Sequence, residues 1–179
     1  THLSIGSNKK KFLSINRDKN SNNERFSFYM FEDIHNLKLY PLTIVIWPCA
    51  LHISNKIKLD LSQHYHIISD KYLKVDNYKK LVYNLYEGDL KCDKSKLVHK
   101  IKRFNQYDKK IRSFNILIKN PYLDNKNISN TSIDLKRRIR SKYKKNIDNY
   151  FYDIIIHTSD NRDHASSMNN ILNKLVPFS

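Results

Sequence analysis

Glycine is almost missing from this chain: Gly6 and Gly88 are the only two in 179 residues. Phosphate-cradling loops of the P-loop and dinucleotide types need several glycines within a few positions, so both are excluded. A phosphate site here must be built from side chains or helix ends. Cysteine is equally scarce. Cys49 and Cys92 form no C-x-x-C, which argues against a thiolate metal cluster. Cys49 lies in an apolar stretch and reads as a small core hydrophobe, and such usage fits a reduced, cytoplasmic setting. No apolar run approaches the length of a membrane span and no secretory signal is visible, so no membrane partner is expected. Tryptophan occurs once, at Trp47.

Positive charge is abundant. Lys and Arg number 33 against 17 Asp and Glu, a formal charge of +16. That excess predicts attraction to polyanions, whether nucleotides, nucleic acid or an acidic surface. The basic residues are spread along the chain, with denser runs at Lys9 to Lys11, Lys136 to Arg140 and Lys142 to Lys145. A spread of this kind is also what a solvated surface looks like. With 40% hydrophobic residues the chain is long and apolar enough for one domain with a real core.

Residues 1–40 read as a polar N-terminal extension, partly mobile, with one short strand near Phe12 to Ile15. Residues 41–179 read as an α/β domain. Leu42 to Trp47 is a continuous apolar run stopped by Pro48, which predicts a buried strand. Ser54 to Gln63 predicts a helix, and the alternating His66 to Val75 a second strand. Asp76 is the expected N-cap of a helix Tyr78 to Tyr86, ended by Gly88. A helix from Ser95 carries Leu97, Val98, Ile101 and Phe104 at helical spacing. Ile111 to Ile118 is a third strand and Asp124 to Thr131 a polar loop. Ile133 to Tyr143 is a basic helix, Tyr152 to His157 a fourth strand, and Asp163 to Leu175 a last helix. This order predicts an α/β sandwich of the ferredoxin-like, split βαβ type: an antiparallel sheet with helices packed on it.

The stretch Ile154-Ile155-Ile156-His157-Thr158-Ser159-Asp160 carries the chemistry. Three β-branched residues deliver an imidazole to a strand end, where a polar turn leaves it available. The plainer reading is a polar residue closing an edge strand. Trp47 admits two readings as well, an aromatic platform for a base or a packed core residue. Arg137, Arg138, Arg140 and Lys142 would form a cationic helix face toward phosphates, or a solvated one. His157 and His164 would need a third ligand, such as Asp160 or Asp163, to hold a metal, and no metal site is expected.

His157-Thr158-Ser159-Asp160-Asn161, followed by Asp163 and Ala165, resembles the H-G-S-D-S signature of nucleoside diphosphate kinases and the acid and alanine after it. Ile46-Trp47-Pro48-Cys49-Ala50-Leu51 is similar to that family's first-strand I-K-P-D-A-V. Tyr65 to Lys71 resembles its second strand, and Ile139-Arg140 an I-R element before the histidine strand. The resemblance spans about Leu42 to Leu175. It implies that His157 accepts a phosphoryl group from a nucleotide, that Ser159 supports the ring by hydrogen bonding, and that Arg140 neutralises phosphate oxygens. Mg²⁺ would accompany the nucleotide. Trp47, Arg137 and Asp160 complete the expected ligand-binding set. Related folds form hexamers or smaller rings, so a homo-oligomer is compatible.

The chain also departs from that pattern. Trp47 stands where the family has a phosphate-contacting lysine, Cys49 where it has an acid, and Ile154 where an asparagine contacts the sugar. Met168 falls where a glutamate orients the histidine, and the G-x-T-N-P loop is not recognisable. The expectation is therefore a divergent nucleotide- or phospho-ligand-binding protein, with phosphoryl or nucleotidyl transfer through His157. The alternative is a basic nucleic-acid-binding or assembly subunit that kept the fold and lost the site.

Overall fold

The computed structural model describes residues 39–89, 93–119, 127–151 and 153–178. The extension and its expected strand near Phe12 therefore lie outside the described residues, apart from the last two positions. Strand β1 spans Leu39–Ile46 and is buried without interruption from Leu42, as a central strand covered on both faces must be. A 3₁₀ turn, Pro48–Ile53, follows and leads into helix α1, Ser54–His64. Strand β2, His66–Lys74, is partly exposed along much of its length. Helices α2, Tyr78–Tyr86, and α3, Lys94–Phe104, precede strand β3, Lys110–Lys119. Helix α4, Asn130–Tyr143, strand β4, Ile156–Thr158, and helix α5, Arg162–Leu172, complete the described chain. Tyr40–Ser179 clusters as one unit.

The sheet order is β2-β3-β1-β4, and the sheet is antiparallel with the five helices packed on it. This is the expected ferredoxin-like arrangement. Its core gathers Leu42, Ile44 and Ile46 of β1, Ile57 and Leu61 of α1, Leu81 and Leu85 of α2, Phe104 of α3 and Ile116 of β3.

Several boundaries differ from expectation, each for a local reason. The cap of α2 is Asn77, not Asp76: its side chain accepts from the Lys80 amide at 3.0 Å. Helix α3 is capped by Asp93, and α4 begins at Asn130 behind Ser129, so the polar loop is shorter than expected. The fourth strand was expected from Tyr152 (outside the described residues) but covers only Ile156–Thr158. Asp153, at φ 57°, sits in the left-handed region and breaks the extended run. Gly88 has no positive φ, so it does not serve as a left-handed helix stop. Its role is close approach: a Cβ there would lie 3.0 Å from Cδ2 of His164.

Candidate active site

Pairing with a buried strand fixes the histidine. His157 lies opposite Val45 on β1, and the pairing continues past it, with the Ser159 amide donating to the Thr43 carbonyl at 2.9 Å. The turn after the histidine is then tied from several sides. The Ser132 hydroxyl on α4 donates to the Ser159 carbonyl at 2.7 Å, and its oxygen lies 2.6 Å from that of Thr158. The Ser129 amide donates to the Asp160 carbonyl at 2.7 Å. Asn161 caps α5 by accepting from the His164 amide at 2.9 Å. His164 receives the Asp160 amide on Nδ1 at 3.1 Å, so its proton is on Nε2, which donates to the Leu85 carbonyl at 3.0 Å. With both nitrogens used, His164 is a structural histidine. Among the described residues no group of three His, Cys, Asp or Glu is placed to hold a metal ion.

His157 is 2% exposed. The Tyr86 ring stacks on it with centroids 4.1 Å apart, and the His164 ring meets it edge-on at 5.7 Å. Its Nε2 is enclosed without a hydrogen-bond partner. Burial, reinforced by Lys136, His164, Lys100 and Arg140, holds the imidazole well below the usual histidine range, so it is neutral at pH 7.

The histidine contributes to the lining of a cleft of about 340 Å³ between α3, α4 and the β4 turn. Lys136 and Arg140, one turn apart on α4, form one wall. Lys136 Nζ pairs with Asp160 Oδ1 at 3.1 Å, while Asp160 Oδ2 is enclosed without a partner. Arg140 donates from Nη2 to the Ile156 carbonyl at 3.1 Å and pairs through Nη1 with Asp153 at 3.0 Å. Lys100, which also lines the cleft and is only 6% exposed, donates to the Tyr86 hydroxyl at 2.8 Å.

Of the six residues expected at the site, His157, Arg140 and Asp160 line this one cleft. The other three do not join them. Trp47 is 0% exposed and stacks on Phe104 at 4.7 Å, so it packs behind the histidine and does not line the cleft. The gain from burying the indole outweighs the cost of its N–H, which is enclosed and unpartnered. Ser159 is buried, and its hydroxyl oxygen accepts from the Thr43 amide at 3.0 Å; it bonds β1 rather than the histidine ring. Arg137 is exposed, pairs with Asp134 at 3.5 Å, and faces a neighbouring depression. The expected cationic face of α4 splits: Arg138 lies over the Tyr65 ring, and Lys142 pairs with Asp60 at 2.8 Å. Cys49 is buried, and burial pushes its thiol up to about 11, as a core residue rather than a nucleophile.

Sequence reasoning missed Lys100 and Tyr86. The signal was present: Lys100 falls on the apolar stripe of α3, between Leu97 and Phe104, where a solvated lysine has no place.

Among solved structures the fold is similar to nucleoside diphosphate kinases. That of Aquifex aeolicus matches with a TM-score of 0.51 at 10% identity, over 77% of this chain and 99% of its own. That of Borrelia burgdorferi, solved with vanadate and ADP, gives 0.46 at 12% identity over 79% and 92%. That of Halobacterium salinarum, in complex with CDP, gives 0.43 at 14% identity over 78% and 92%. No protein-family model matches the chain, and neither does any curated protein sequence. The likeness to the Aquifex protein establishes a nucleoside diphosphate kinase-like fold.

Proposed function

We propose that this chain binds a nucleotide, or another ligand bearing phosphate groups, in the cleft beside His157, and that His157 accepts a phosphoryl group from it. One observation carries the reading: a neutral, buried imidazole lines a cleft walled by Lys100, Lys136 and Arg140. Neutral imidazole is the nucleophilic form, and fixed cations offset the charge on the transferring group. Attack would form an N–P bond as the bridging P–O bond breaks, with the electron pair leaving on the diphosphate.

Because Nε2 is enclosed, the attacking nitrogen would be Nδ1, with Nε2 keeping the ring proton. That proton has no acceptor, so the positive charge gained on phosphorylation is poorly supported. Binding is therefore expected to be better preserved than turnover. Asp153 is bonded to Arg140 and Tyr150, Asp160 is paired with Lys136, and Asp93 caps α3. Mg²⁺ would accordingly be carried by the ligand's phosphates rather than by a protein cage.

Incubation with γ-labelled ATP and Mg²⁺ tests this directly. The expected product is substoichiometric label on His157, labile to acid and stable to base, and absent from His157→Ala. An unlabelled wild type, or equal labelling of the variant, removes the transfer step.

A further inference from the structure

Four cations in the His157 cleft face four carboxylates. Beside it lies a second depression of about 430 Å³ with a different balance. Four cations line it, Lys136, Arg137, Arg140 and Lys144, against the single carboxylate of Asp153. That carboxylate is already engaged by Arg140 at 3.0 Å and by the Tyr150 hydroxyl at 2.9 Å. The two cavities share Ile133, Lys136, Arg140 and Asp153, so they adjoin across one line of side chains.

The cations that belong only to the second depression are lightly committed. Arg137 meets Asp134 at 3.5 Å with both side chains 73% exposed, a pair that contributes little. The Lys144 side chain makes no hydrogen bond or ion pair with the described residues. Positions 136, 140 and 144 recur at four-residue intervals from α4 into the turn after it, a row of roughly 12 Å at helical rise.

We propose that this depression is a second anion subsite, and that the ligand it fits is a linear polyphosphate chain. The near phosphates lie at Lys136 and Arg140, and the far ones reach Arg137 and Lys144. The proposal rests on the reading of the His157 cleft as phosphate-binding and extends it to the ligand's far end. A lone phosphate engages only one end of such a row, whereas a chain gains contacts along it. Single-stranded nucleic acid fits less well. Base stacking needs an open aromatic face, and the aromatic here, Tyr150, is half-buried with its hydroxyl held by Asp153.

Calorimetry on the full chain at about 0.1 M salt compares orthophosphate, linear polyphosphate and a single-stranded oligonucleotide of matched charge. Wild type should bind polyphosphate at least about tenfold more tightly than orthophosphate. The double change Arg137→Glu, Lys144→Glu, at two exposed positions, should remove that preference. Lys79→Glu with Lys80→Glu, an equal charge change on α2, should keep it. The subsite is refuted by an indifferent wild type, by equal loss in both double variants, or by tighter binding of the oligonucleotide. Binding is read without any transfer step, so an unlabelled His157 leaves this result standing. A labelled His157 without the chain-length preference removes only the subsite.

Discussion

Burial and the positive side chains around His157 act on its ring in the same direction, and the effect extends to stability. The unfolded chain takes up a proton on this imidazole near pH 6.5, whereas the folded chain resists it to well below that. Between the two values the unfolded state binds more protons. The contribution is thus fully present above about pH 6.5 and is lost as pH falls, by about 1.4 kcal/mol per unit. His157→Phe keeps a ring for Tyr86 to stack on and removes the titration. Denaturant unfolding at pH 7.5 and 5.5 should show wild type losing about 1 kcal/mol more than the variant. Equal losses would mean that the ring titrates normally. At this scale the motif was a good guide to position and a poor one to partners. Local order groups His157 and Asp160, which flank one turn, whereas Arg140 is brought to them by α4, a contact only the tertiary fold decides. Ser159 points back to Thr43, and Trp47 lies behind the site, because β1 pairing and core packing decide those orientations. Neither is written in local sequence.

Helix and strand periods gave most elements nearly to the residue, including α2 at Tyr78–Tyr86. The misses fall where backbone or capping chemistry is tertiary. Left-handed Asp153 shortens β4, with its carboxylate placed between Arg140 and Tyr150. Lys100 is buried because Tyr86, from another helix, supplies its acceptor. Gly88 joins α2 to α5 by closeness. His164 cannot swing aside freely, since both its nitrogens are bonded. Gly88→Ala should therefore destabilise by about 1–3 kcal/mol, although alanine ordinarily favours a folded chain over glycine. Thermal unfolding checks this, and a variant as stable as wild type would show that the α2–α5 contact yields easily.

The whole molecule combines a nucleoside diphosphate kinase-like fold with a cationic cleft wall of its own. Lys100, Lys136 and Arg140 stand around the histidine, while tryptophan occupies the position where the resemblance expects a lysine. The formal charge of +16 adds long-range attraction for anions, which salt screens, but the contacts in the cleft are partly enclosed and less screened. The most direct test of the central claim is NMR of the histidine ring nitrogens between pH 5 and 8, with and without Mg²⁺-ATP. The account predicts that His157 stays neutral to well below the usual histidine range and that its ring signals move when ATP is added. A His157 midpoint at the ordinary value of about 6.5, or ring signals indifferent to ATP, would contradict it.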